Sequence, residues 1–209
     1  MSVRLESFEY LPRGASGWGS RLLHFGEMFT AVQGPNGTGK TPIIKGVIQG
    51  LGHEVELPPD VLARCEFART TLAVDGRPVT LTRRLGGEGF EIRVDDAEET
   101  QVFTNQGEYA KWFIGLFTAE PPVLTDKNRQ ASQMYATVLL PALWVDQDHG
   151  WTTDYWTQPH RNFIQDQRQE VIRFLAHRDV AFGGPVGEAK LIRAAAAPSD
   201  RCATRAWPA

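Results

Sequence analysis

Several things that would declare a protein's class are scarce here. Only two of the 209 residues are cysteine, Cys65 and Cys202, and no Cys-x-x-Cys pair occurs. That argues against a disulfide framework and leads us to expect a cytoplasmic protein. Five histidines (positions 24, 53, 149, 160 and 177) stand without metal-ligand spacing, so no structural zinc is expected. No apolar run approaches the roughly 18 residues of a membrane span. The opening MSVRLESFEY lacks the apolar stretch of a signal peptide, so no membrane partner is expected. Neither sign of charge dominates: 22 Lys and Arg against 25 Asp and Glu leave a net −3. A global electrostatic drive toward nucleic acid is therefore excluded, and any such contact needs a local patch.

What is there is an ordinary globular composition, 42% hydrophobic over 209 residues. That suffices for one α/β domain with a sizeable core. Residues 3–10 alternate apolar and charged, as a half-buried strand does, and residues 22–25 suggest a second short one. Asp75-Gly76-Arg77-Pro78 lies between alternating runs at 70–74 and 79–85, a strong hairpin signal. Residues 90–94 and 101–103 add two more strands, with an acidic turn (95–99) between them. Tyr109, Trp112, Phe113 and Leu116 fall at helical spacing within 108–117. Residues 118–130 read as a loop. The apolar run 135–145 reads as a buried strand, against which only Pro141 argues. Residues 163–178 form an amphipathic helix, and the signal fades from Gly183 onward.

The chemistry is concentrated in residues 34–41, GPNGTGKT. Gly34, Gly39, Lys40 and Thr41 meet the pattern G-x-x-x-x-G-K-[ST]. Pro35, Asn36, Gly37 and Thr38 fill the turn. In such a loop, backbone N–H groups line a concave anion site, and the following helix adds the positive end of its dipole. Lys40 would reach the β- and γ-phosphates of a nucleotide, and the Thr41 hydroxyl would ligate Mg²⁺. The flanks fit: residues 28–32 read as a buried strand, and Ile43, Ile44, Val47, Ile48 and Leu51 mark a helix from about Gly39 to Leu51. Pro42 sits in its first turn, where a missing N–H costs little.

This order of elements resembles the N-terminal ATPase lobe of the structural-maintenance-of-chromosomes (SMC) and double-strand-break-repair group of ABC-type ATPases. The likeness covers roughly residues 1–180 and implies an α/β P-loop NTPase lobe over 1–182, with an antiparallel β-hairpin subdomain (70–103) and flanking helices. Residues 183–209 would then be a tail or the truncated start of a coiled coil. The resemblance implies ATP and Mg²⁺ as cofactors. It also implies a glutamine after a buried strand that contacts Mg²⁺ and the attacking water, and Gln147 is the matching position. Hydrolysis in that family needs a signature motif and a Walker B acid from a second lobe. Neither is found in this chain, so the expected partner is a second ATPase lobe or a second copy. DNA contact would come through the assembly, in DNA processing or genome defence.

Two alternatives stay open. Asp146 after the apolar run reads as a Walker B acid instead, making the chain a complete small phosphotransferase or NTPase. Arg77, Arg83 and Arg84 are DNA-contact candidates, against the simpler reading of a solvated strand end. Trp144, Trp151, Tyr155 and Trp156 read as packing rather than base stacking, since aromatics dominate burial.

Overall fold

The computed structural model describes residues 2–87, 89–125, 130–145 and 165–176. The alternation at the N-terminus builds β1 (Val3–Pro12), and β2 (Leu23–His24) pairs against its middle. After the glycine-rich stretch 34–39 come α1 (Lys40–Gly50) and α2 (Pro59–Arg64), then β3 (Cys65–Val74) and β4 (Arg77–Arg84). The hairpin between them turns on two residues, Asp75 at φ 48° and Gly76 at φ 82°. Two consecutive left-handed residues match the twist of the flanking strands. The turn is further pinned by the Ser2 N–H, which donates to Asp75 Oδ1 at 2.7 Å. The sheet continues through β5 (Ile92–Asp95) and β6 (Thr100–Phe103). It has six strands in the order β2-β1-β3-β4-β5-β6, and every pairing is antiparallel.

One face of this sheet is covered and the other is wet, the usual division in an antiparallel sheet. Phe8 and Tyr10 of β1, Ala68 and Leu72 of β3, Val79 and Leu81 of β4, and Ile92 and Val94 of β5 are buried. Between them sit residues such as Arg69, Thr71, Thr82 and Arg93, which are part-exposed or exposed. Two apolar clusters form on the covered face. One lies under α1 and α2, where Phe8, Tyr10, Val47, Leu57, Val61 and Cys65 meet. The other joins the sheet to α3 (Gln106–Gly115) and to the chain that follows, through Leu81, Tyr109, Phe113, Leu124 and Val138.

Three stretches differ from the sequence reading. Residues 28–32 form no strand and are not buried; Met28 is 97% exposed and Phe29 82%. A phosphate-loop strand is normally sheltered in a parallel sheet, and no parallel pair exists among the described residues. The supposed loop at 118–130 contains β7 (Val123–Thr125) and β8 (Ala131–Gln133), a small antiparallel ribbon. The expected strand at 135–145 is instead α4 (Ala136–Leu139) running into a 3-10 turn (Leu140–Ala142). A short, wholly apolar run has no period that tells helix from strand, and Pro141 fits near the start of a helical turn because it needs no N–H donor there. α5 (Gln165–Leu175) lies within the expected 163–178 helix. It is fastened to β7: Glu170 accepts the Thr125 N–H and hydroxyl, both at 2.9 Å, and Gln167 Nε2 donates to the Thr125 carbonyl at 2.8 Å.

Candidate functional site

The glycine-rich loop leads directly into α1. Gly37 and Gly39 both hold left-handed backbone, at φ 80° and 83°. A side chain at either position would meet no neighbour; the requirement for glycine there is conformational rather than one of space. Gly34 differs: a Cβ would fall 2.8 Å from Thr38 Oγ1. The loop is braced by that same hydroxyl, which donates to the Pro35 carbonyl at 2.8 Å. Lys40 Nζ donates to the Gly34 and Pro35 carbonyls, each at 2.7 Å. Pro35, Thr38 and Lys40 are thereby tied together, and the lysine's charge is folded back over the loop.

The N-terminus of α1 is the chemically notable feature. Its N-cap, Gly39, brings no side-chain acceptor, and its first turn contains no acidic residue. Compare α3, where Asn105 Oδ1 accepts the Gly107 and Glu108 N–H groups at 2.7 and 3.3 Å, and Glu108 adds a negative charge. A helix start left without such a cap keeps donors and a positive partial charge for an anion. Lys40 and Thr41 open α1, so an ammonium and a hydroxyl stand beside that helix end.

The other sequence candidates fall elsewhere. Gln147 and Asp146 lie outside the described residues, as do Trp151, Tyr155 and Trp156. The buried strand that the glutamine-loop and Walker B readings both require before those residues is helical instead over 136–142. Trp144 lies edge-on to the buried His53, with ring centroids 6.0 Å apart, which fits the packing reading.

Arg77, Arg83 and Arg84 do not make one basic face. Arg84 and Arg77 are exposed, with Glu66 at 3.5 Å from the first and Glu98 at 3.6 Å from the second. Arg83 points inward and is 4% exposed. Its Nη1 donates to the Gln49 carbonyl at 2.8 Å, and Nη2 lies 3.7 Å from Glu54. Its guanidinium stands 5.4 Å from the Phe90 ring centre. Burial pulls its pKa down, with Glu54 opposing. The expected strand-end arginine is thus a buried cation at the negative end of α1, where the helix dipole favours it. Tyr109 completes that end, its phenol donating to the Leu51 carbonyl at 2.9 Å. Sequence reasoning missed this pair. The available signal was parity: Arg83 continues the inward series of Val79 and Leu81.

No group of three or more His, Cys, Asp or Glu among the described residues could hold a metal ion, and no helix among them is long and apolar enough to cross a membrane. Comparisons with protein-family models, with curated proteins and with solved structures each give no match.

Proposed function

We propose that this chain is an ATP-binding lobe that takes ATP·Mg²⁺ on residues 34–41 and needs a second lobe or a second copy for hydrolysis. The observation that carries the reading is the uncapped start of α1, opening from the glycine-rich loop with Lys40 and Thr41 in its first turn. Gly34, Pro35, Asn36, Gly37, Thr38 and Gly39 would supply the cradle for the phosphates. Lys40 would leave the Gly34 and Pro35 carbonyls for the β- and γ-phosphates, and the Thr41 hydroxyl would hold Mg²⁺. Bound there, the metal would offset charge on the transferring phosphoryl group. Gln147 is the proposed sensor of metal and water, as the likeness to SMC-type lobes implies, with Asp146 as the alternative acid.

The need for a partner has its own support. Met28 and Phe29 stand in solvent, four residues short of the loop. Exposed large side chains in a row suggest a surface that something else covers. The reading places the chain with the SMC-like lobes in DNA processing or genome defence.

The deciding experiment is ATP turnover against protein concentration, for the wild type and Lys40→Ala. We expect turnover to be negligible in dilute protein, to rise more steeply than linearly with concentration, and to vanish in the variant. A rate per molecule that stays constant down to dilute protein would move the assignment to a self-sufficient enzyme using Asp146. Turnover and ATP binding both indifferent to Lys40 would overturn the nucleotide site itself.

A further inference from the structure

We propose that Tyr10 is a positioning residue for the phosphate loop, setting the height of the first turn of α1 above the sheet; the inference rests on the ATP-binding reading. The Tyr10 hydroxyl donates to the Pro42 carbonyl at 2.6 Å. Pro42 directly follows Lys40 and Thr41, so the bond grips the turn that presents both.

Tyr10 is built as a fixed post. Its N–H donates to Ser20 Oγ at 2.8 Å, and its carbonyl accepts the Ser20 N–H at 3.0 Å. Within the sheet it pairs with Ala68. The side chain is 1% exposed, and its ring meets Phe8 edge-on at 4.9 Å. Burial, with a smaller contribution from Cys65, raises the phenol's pKa, so the hydroxyl keeps its proton and remains a donor at every working pH.

The helix is cut to fit this post. Gly46 faces the ring directly: a Cβ there would lie 2.2 Å from Tyr10 Oη and 2.5 Å from Phe8 Cζ. Only a residue without a side chain lets α1 settle low enough for the phenol to reach Pro42. The need is steric, since Gly46 is not among the glycines with positive φ. With no side-chain cap at Gly39, the anchor from β1 substitutes for a local one. It also does so without occupying the N–H groups that would face an anion, because it takes a carbonyl instead.

The test uses Tyr10→Phe, which keeps the ring and its packing and removes only the hydroxyl. Two readouts are needed. Amide hydrogen exchange in nucleotide-free protein is expected to speed up several-fold over residues 40–46 while α3 is unchanged. The Kd for ATP·Mg²⁺, measured well below the unfolding temperature, is expected to rise about five-fold, the equivalent of one hydrogen bond of about 1 kcal/mol. Val94→Ala, in the other apolar cluster, serves as a control that lowers stability without touching α1, and it should leave the Kd alone.

Unchanged exchange over 40–46 overturns the proposal whatever the affinity does. Faster exchange with an unaltered Kd, while Lys40→Ala still abolishes binding, also overturns it and leaves the nucleotide site standing. A wild type that shows no Lys40-dependent binding removes the nucleotide reading and this inference together; exchange then reports a purely structural anchor. A Kd weakened equally by Val94→Ala would show that general destabilisation is the cause, and would likewise overturn it.

Discussion

The two ends of α1 are finished in opposite ways. At the C-terminal end the chain supplies everything: Arg83 takes the Gln49 carbonyl, Tyr109 takes the Leu51 carbonyl, and both side chains are buried. At the N-terminal end two left-handed glycines lead into a helix with no side-chain cap, and the residues before them lie in solvent. Buried polar groups without partners are costly, which is why the sheltered end is closed from within, whereas the solvent-facing end can rest on water and stays accessible to a ligand or partner. The difference separates the part of this molecule that stabilises it from the part that is left available. Substitutions on the two sides should therefore differ in kind: global stability on one, binding on the other.

The largest effect is expected behind the closed end. Leu81 is fully buried among β3, β5 and the helices, so Leu81→Ala removes packed atoms and leaves a cavity. A loss of about 2–5 kcal/mol in urea unfolding is expected. A loss under about 1 kcal/mol would mean that this cluster is loosely packed, and the contrast between the two ends would weaken.

Arg83→Met comes next. It keeps much of the apolar stem but strips the Arg83 donor from the Gln49 carbonyl and the cation 3.7 Å from Glu54. A hydrogen bond involving a charged group is worth about 1.5–3 kcal/mol, while relief from burying a cation offsets part of it. The expected net loss is about 1–2 kcal/mol, again in urea unfolding. A stabilised variant would show that desolvation outweighs the bonds, and that Arg83 is kept for a reason other than stability.

These two residues also show what could be read in advance. The helix after the glycine-rich loop, the Asp75-Gly76 hairpin and the alternating strands are visible in sequence because each carries a local signal: a period, or a turn residue with a known φ. Arg83 carries two signals in conflict: its parity with Val79 and Leu81 points inward, while an arginine at a strand end is usually solvated, and only distant partners, the Gln49 carbonyl and Glu54, decide for burial. Residues 136–142 carry no usable signal at all, because an apolar run without a period fits either a helix or a strand. The exposed stretch at 28–32 fails for a third reason. Its pattern suits a sheltered strand, but no described element supplies the neighbours to shelter it. Of the candidate site, the glycine loop, Lys40 and Thr41 were accessible to sequence. Tyr10 was not, because its role depends on β1 and α1 crossing at Gly46.

On the open side, Gly39→Ala should cost less stability and more function. No neighbour obstructs a Cβ there; the penalty is the left-handed backbone, about 1–2 kcal/mol. Relaxation of a solvent-facing loop can absorb much of it, so the unfolding free energy should fall by about 1 kcal/mol or less. ATP·Mg²⁺ binding, followed by fluorescence titration, should weaken at least ten-fold, because relaxing the loop would turn its N–H groups away from the proposed anion site. Unaltered binding would mean that the loop's left-handed turn is not what the nucleotide recognises.

The smallest effect sharpens the comparison most. Phe29 is 82% exposed and Met28 97%, so in the isolated chain Phe29→Ser should change stability by no more than about 0.5 kcal/mol, the range of ordinary surface substitutions. An aromatic of that size, if buried, would instead cost about 3–5 kcal/mol on truncation. The two outcomes are far enough apart for one urea titration to decide. A small change at all protein concentrations confirms that the segment before the loop is free in the single chain. A large loss that grows with protein concentration would mean that copies associate and that Phe29 is covered in the associated form, since linkage makes the stability of an assembly depend on protomer concentration. A large loss independent of concentration would place Phe29 inside the chain's own core. The open end of α1 would then be closed on that side as well, and the case for a missing second lobe would lose its structural support.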